Sequence, residues 1–78
     1  MIFGGLKMRC YVIKRDDGQY LKDYSTHWLI FTRNISEAEF YGNELGASTT
    51  IDWIVNKRWL FQIDRRQIGI KEIEIKET

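Results

Sequence analysis

The segment CYVIKRDDGQYL, residues 10–21, decides how this chain starts to fold. Its first residues are mostly β-branched or aromatic, which favours a strand. Two aspartates and a glycine follow, residue types that tight turns favour, and a second strand-like stretch begins at Gln19. The segment therefore predicts a β-hairpin with strands over residues 8–14 and 19–24.

Two hairpin loops fit this segment. A two-residue turn at residues 17–18 would pair Ile13 with Lys22. A three-residue loop over residues 16–18 would pair Ile13 with Leu21 and place its glycine in the left-handed region. The three-residue loop matches two apolar side chains across the strands, and such pairs stabilise a sheet. We therefore predict the three-residue loop.

Three further stretches downstream have the residue types of strands. Residues 27–32 form an apolar run that is typical of a central strand covered on both faces. Residues 59–64 alternate apolar and polar side chains at first, and residues 68–76 form a last strand. Because the isoleucines in the two halves of that last strand fall on opposite faces, we expect a β-bulge between residues 69 and 72.

One main helix is predicted over residues 47–58, which leaves Gly46 outside it. Its apolar side chains recur at helical spacing and form a single stripe: Ile51, Ile54 and Val55. Thr49 and Asp52 resemble a capping box near its start. A short helical turn over residues 35–39 precedes it, capped by Asn34 or Ser36, and residues 40–41 leave that turn as a short extended piece.

These elements follow one another in the order β-β-β-α-β-β. The order predicts an α+β fold, in which an antiparallel sheet of about five strands carries one main helix on one face. We expect residues 8–78 to form a single α+β domain and residues 1–7 to form a flexible N-terminal leader. The codons for two glycines in that leader can contain a ribosome-binding sequence, so whether Met1 or Met8 begins the natural product stays open.

The charge balance favours a protein partner. The chain has 12 basic and 11 acidic side chains and a net charge of +1, whereas proteins that bind nucleic acid through charge are usually strongly basic. A single cysteine fits a reducing compartment. No apolar run approaches the roughly 20 residues of a membrane span. We therefore predict a cytoplasmic protein that does not enter a membrane.

Residues that usually perform catalysis are scarce. Cys10 alternates with apolar side chains in the first predicted strand, which is typical of a buried structural thiol. His27 begins a strand-like run, where a local hydrogen bond is the expected role, and these two side chains cannot supply the four ligands of a zinc site. Asp16 and Asp17 lack the staggered ligands of a calcium loop. We therefore predict no enzymatic activity, no catalytic residue, no metal and no cofactor.

Basic and aromatic side chains concentrate between residues 53 and 66. The candidate partner-binding surface consists of Trp53, Lys57, Arg58, Trp59, Phe61, Arg65 and Arg66. Rings that stack on bases, beside cations that neutralise phosphates, also suit single-stranded nucleic acid. Trp53 falls on the flank of the apolar helix stripe, where it is either a lid on the sheet edge or an interface anchor, and both interpretations stay open.

A series of short motifs runs along this chain. It consists of YVIK at residues 11–14, DGQYL at residues 17–21, a tryptophan strand, Ala38-Glu39-Phe40 and a closing Ile-Glu-Ile strand. This arrangement resembles a loose group of short uncharacterised bacteriophage and prophage proteins, mainly of Gram-positive hosts. The resemblance covers residues 10–75, although the apolar stretches at 29–31 and 59–61 depart from the group's pattern. It implies an accessory phage gene whose product binds a host or phage macromolecule, and it carries over no catalytic residue.

We therefore predict a small non-enzymatic accessory protein of phage or prophage type that binds a host or phage protein. One alternative is a nucleic-acid-binding module whose basic and aromatic side chains are Arg58, Trp59, Phe61, Arg65 and Arg66. A second alternative is a homo-oligomeric structural protein, in which the strand over residues 68–76 joins the sheets of neighbouring subunits.

Overall fold

A computed structural model describes the backbone of residues 7–76 and the side chains of residues 9–74. The predicted leader lies outside the described residues, apart from Lys7, where the first strand begins. The strands and helices are β1 (Lys7–Arg15), β2 (Tyr20–Tyr24), β3 (Leu29–Thr32), α1 (Glu44–Asn56), α2 (Arg58–Phe61) and β4 (Ile68–Lys76). Two short 3-10 turns, Ile35–Glu37 and Arg65–Gln67, lie between them.

The strands form one antiparallel sheet in the order β3-β2-β1-β4. Helix α1 packs on one face of this sheet, on the side that carries Ile13. The predicted α+β class with one main helix is confirmed. The sheet has four strands among the described residues rather than about five, because residues 59–64 do not form a strand.

The hairpin between β1 and β2 has the predicted three-residue loop. Lys14 pairs with Tyr20, and this register places Ile13 opposite Leu21. Gly18 has a φ of +87°, in the left-handed region that favours glycine. Both side chains of the apolar pair are fully buried, so the loop choice decides which residues of the hairpin enter the core.

Asp17 stabilises this turn through local hydrogen bonds. Its carboxylate accepts from the Arg15 guanidinium at 2.9 Å and from the Gln19 backbone N–H at 3.1 Å. The Arg15 hydrogen bond holds the pKa of Asp17 below its ordinary value. Turn chemistry therefore accounts for this acidic residue.

A short extended segment fills the gap where β2 diverges from β1. Glu39 N–H donates to the Leu21 carbonyl at 2.9 Å, and Tyr41 exchanges backbone hydrogen bonds of 2.9 and 2.8 Å with Tyr11. The prediction that residues 40–41 are extended is confirmed. The preceding 3-10 turn is capped by Asn34, whose side chain accepts from the Ser36 backbone N–H.

The core lies between α1 and the sheet. Its buried side chains come from β1, β2, α1, the connection after α2 and β4: Ile13, Leu21, Ala47, Ile51, Ile54, Ile63 and Ile68. The predicted helix stripe is part of it, since two of its members are buried and Val55 packs against the same cluster. Burial of each of the isoleucine and leucine side chains contributes about 1.5–3 kcal/mol to folding.

Helix α1 begins three residues earlier than the sequence pattern indicated. Its N-cap is Asn43, whose side-chain oxygen accepts from the Gly46 backbone N–H at 2.7 Å. The predicted capping box is wrong, because the Thr49 hydroxyl instead donates to the Leu45 carbonyl within the helix. Gly46 lies inside the helix, where an added Cβ would meet Tyr41 and the capping oxygen at 3.4 Å.

Strand β3 is an edge strand, not the predicted central one. Leu29 and Phe31 pack against the core cluster, but Ile30 is 44% exposed on the other face. The strand is therefore covered by the core on one face only, and Ile30 on its other face is exposed to solvent.

Strand β4 has the predicted bounds but lacks the predicted bulge. Its pairing with β1 runs without a register shift over the whole length of both strands. A bulge is unnecessary because the two faces of β4 have different neighbours: Ile68 joins the core beneath α1, whereas Ile73 lies opposite Cys10 on the other face.

Residues 58–61 form a helical turn instead of a strand. The Leu60 and Phe61 N–H groups donate to the Lys57 carbonyl at 2.8 and 2.9 Å. Gln62 then ends the turn with a φ of +58°, and this reversal lets both Phe61 and Ile63 reach the core cluster. The alternating pattern is satisfied by a kinked turn, which is why it was misleading as a strand signal.

Candidate functional site

The predicted surface residues do not form one exposed patch. The Trp53 ring lies 5.5 Å from the rings of Tyr24 and Phe61, measured between centroids, and the Lys57 ammonium lies 4.7 Å above it. Trp53 and Phe61 are both partly buried against the core. Of the two interpretations of Trp53, the structure favours the lid.

The predicted arginines have different surroundings. Arg65 forms an ion pair of 2.7 Å with Asp52 of α1, whereas Arg66 is 3.6 Å from Asp64 and almost fully exposed. Arg58 and Trp59 lie on α2, and Trp59 is 77% exposed, the most exposed large apolar side chain among the described residues. Because a long ion pair at an exposed side chain contributes little to stability, Arg66 is available to a partner, and Arg58 is exposed as well.

A cleft of about 530 Å³ lies beside α2. The β1–β2 turn, the connection between β2 and β3, and the end of α2 form its walls. We call it the aromatic cleft, and its principal lining residues are Arg15, His27, Trp28, Phe31, Leu60 and Gln62. Trp28 is 45% exposed, so a large apolar surface is accessible at the rim of this cleft.

Polar groups inside the aromatic cleft are held in place. The Arg15 guanidinium carbon lies 3.8 Å from the centre of the Phe31 ring, and the same group binds Asp17. His27 Nδ1 is 3.0 Å from the Thr26 hydroxyl, a contact between neighbours in the sequence. The cleft thus combines a fixed cation, an imidazole and an exposed indole.

Sequence reasoning missed Arg15 and Trp28 as site residues. The tryptophan sits next to the single histidine in a polar turn, and this combination could have marked it as exposed. Arg15 carried no such signal, because its contact with Phe31 joins the end of β1 to β3 across the fold.

A second depression, of about 370 Å³, adjoins the cleft at the β1–β2 turn. We call it the basic groove, and the charged residues that line it are Lys14, Arg15, Asp16, Arg66 and Lys71. Four cations and one carboxylate meet here in a chain whose net charge is +1. Gly69 lies opposite Lys14, and nothing lies within 4 Å of an added Cβ, so the groove is open at this point.

Comparison with protein-family models, curated proteins and solved structures finds no match to this chain. No helix within residues 7–76 has the length and apolar character needed to cross a membrane. In the same part of the chain, no group of three or more histidine, cysteine or acidic side chains is arranged to hold a metal ion.

Proposed function

We propose that this chain is a small non-enzymatic accessory protein that binds a host or phage protein in the bacterial cytoplasm through the aromatic cleft and Trp59. The observation that carries the proposal is the exposure of two tryptophans: Trp28, which lines the cleft, and Trp59, the neighbour in sequence of the cleft-lining Leu60. Tryptophan is enriched among the side chains that dominate binding energy at protein interfaces.

The lining of the cleft supports a protein partner over a nucleic acid. Asp16 and Asp17 both line it, and their carboxylates would repel phosphates. A mixture of fixed charge and apolar surface is typical of a protein interface, where polar groups surround an apolar centre. The resemblance to phage accessory proteins adds the expectation of a host or phage target.

The nucleic-acid alternative has less support on the residues predicted for it. Phe61 packs beside Trp53, and Arg65 is paired with Asp52. Neither side chain presents the open stacking surface or unpaired charge that such a module needs.

The proposal is tested by capturing partners from lysate of a bacterial host, with and without nuclease treatment. Wild type is compared with Trp28→Ala, Trp59→Ala and the control Leu45→Ala. Leu45 is 75% exposed on α1 and does not line the cleft, so it matches the exposure of Trp59. We expect a discrete protein that wild type and the Leu45 variant retain and that both tryptophan variants lose by about tenfold.

Two results would contradict the proposal. Equal capture by all four proteins would exclude the cleft as the binding surface. Loss of all captured material on nuclease treatment would instead favour the nucleic-acid module.

A further inference from the structure

The outer edge of β4 presents backbone groups that no described strand pairs with. Asp16 N–H donates to the Gln67 carbonyl at 2.8 Å, and the β1–β4 register continues from there without a shift. Since antiparallel bonding alternates, the odd-numbered residues of β4 bond to β1. The N–H and C=O groups of Ile68, Ile70 and Glu72 therefore point away from the sheet.

The basic groove lies along the first half of this edge. Lys71 lies opposite Val12, on the sheet face away from α1, and Lys14 is on the same face opposite Gly69. Neither lysine forms an ion pair among the described residues, and Arg66 extends into solvent just before β4 begins. The outer edge of β4 is thus bordered by the cations Lys14, Lys71 and Arg66 and by the open space above Gly69.

We propose that β4 binds an extended acidic segment of the partner protein, which adds an antiparallel strand to the sheet. Ile68, Ile70 and Glu72 exchange backbone hydrogen bonds with it, and its carboxylates contact Lys71 and Arg66 above Gly69. Strand addition of this kind obtains affinity from the main chain and selectivity from alternate side chains. The inference rests on the proposed function, because it takes the partner to be a protein.

Charge argues against a second copy of this chain as the added strand. A symmetric antiparallel pair is centred on one residue. Centring on Lys71 places two lysines directly opposite each other, and centring on Glu72 places two glutamates opposite each other. Centring on Ile73 brings Glu72 opposite Glu74 of the other copy. Like charges directly across a strand pair are unfavourable, so the registers centred on Lys71, Glu72 and Ile73, which overlap at least seven of the nine residues of β4, are all penalised. A register centred on Ile70 avoids such pairs but overlaps only five residues of β4.

The test uses a fluorescent peptide of about eight residues that alternates threonine and glutamate, with a threonine–lysine peptide as its charge control. Anisotropy at moderate salt should show binding of the acidic peptide to the full chain. Its glutamates face Gly69 and Lys71, so its threonine N–H groups are the ones that bond to β4. N-methylation of the threonines should weaken binding about tenfold, and N-methylation of the glutamates should change it little.

Two protein variants test the same geometry. Ile70→Pro removes an N–H that points outward and leaves the ladder to β1 intact, so binding should weaken about fivefold. Lys71→Glu should weaken it about tenfold, whereas Arg33→Glu, the same charge change at an exposed residue outside the groove, should have little effect. Circular dichroism checks that each variant is folded, and the methylated peptides carry the test if the proline variant is not.

Several results would overturn the inference. The first two concern the peptides: binding of the acidic peptide that neither methylation pattern changes, or equal binding of the lysine peptide. The other two are tighter binding of single-stranded DNA at the same groove, and a dimer in light scattering that Ile70→Pro abolishes. If the captured partner requires Trp28 and Trp59 but is unaffected by Lys71→Glu, the proposed function stands and this inference fails.

Discussion

The hairpin turn at residues 15–19 and the segment at residues 57–63 each contain one residue in the left-handed region. In the hairpin it is Gly18, with a φ of +87°, which carries no Cβ to oppose that backbone. In the second segment it is Gln62, with a φ of +58°, whose side chain makes the same region less favourable. The two reversals must therefore be stabilised by different interactions.

In the hairpin the stabilising contacts are local, since Asp17 bonds to residues two positions away on each side. In the second segment they are distant: Phe61 and Ile63, on either side of the reversal, both pack into the core. Neighbouring residues therefore specify the hairpin, whereas contacts across the fold specify residues 57–63.

The largest effect should come from removing a distant contact. Ile63→Ala truncates a side chain that is 6% exposed, and we expect it to lower the free energy of unfolding by about 2–4 kcal/mol, because a cavity remains in the core. Urea denaturation followed by circular dichroism measures it. Trp59→Ala, nearby but exposed, should change stability by less than about 0.5 kcal/mol. Equal losses of stability in the two variants would contradict the conclusion that contacts with the core specify residues 57–63.

A smaller loss of stability is expected when the glycine of the hairpin loop is replaced. Gly18→Ala places a Cβ in the left-handed region and should cost about 1–2 kcal/mol in urea denaturation. Gly42→Ala is the matched control, because both glycines have free space around an added Cβ and Gly42 does not have a positive φ. The local account of the hairpin is wrong if both variants lose the same stability.

A gain in stability is expected when glycine is introduced at the second reversal. Gln62→Gly removes the Cβ that disfavours a φ of +58° and should raise the free energy of unfolding by about 0.5–1 kcal/mol. The same urea measurement applies. A loss of stability would show that the Gln62 side chain itself supports the segment and would remove the contrast with the hairpin.

The smallest effect at neutral pH should come from Tyr41, which joins the extended piece to β1. Burial raises the pKa of Tyr41 from 10.0 to about 12. Between these values the folded chain holds a proton that the unfolded chain has released, so stability falls as pH rises through this range and is fully retained below pH 10. Tyr41→Phe should flatten that fall. Denaturation at several alkaline pH values measures it, and an unchanged slope in Tyr41→Phe would exclude burial of this hydroxyl as the cause.

The same contrast holds for the candidate surface: composition and spacing predicted some of its exposed residues, but not the contacts between separate elements that shape it. Composition and spacing placed Trp59 and Arg66 on the predicted surface, and both side chains are exposed. They could not show that the Trp53 and Phe61 rings would pack against each other, or that Arg15 would contact Phe31, since each of those contacts joins separate elements. The basic groove was equally invisible, because its lysines, Lys14 and Lys71, are far apart in the sequence and become neighbours only when β1 pairs with β4.

By itself the sequence determined the α+β class, the three-residue hairpin loop, the apolar stripe of the main helix and the bounds of the last strand. These features depend on turn residues and on side-chain period, which act over a few neighbouring positions. The tertiary structure alone decided that β3 is an edge strand, that residues 58–61 are helical and that the cleft and the groove adjoin. An alternating apolar pattern indicates which side chains are buried, but the shape of the surrounding core decides which backbone conformation buries them.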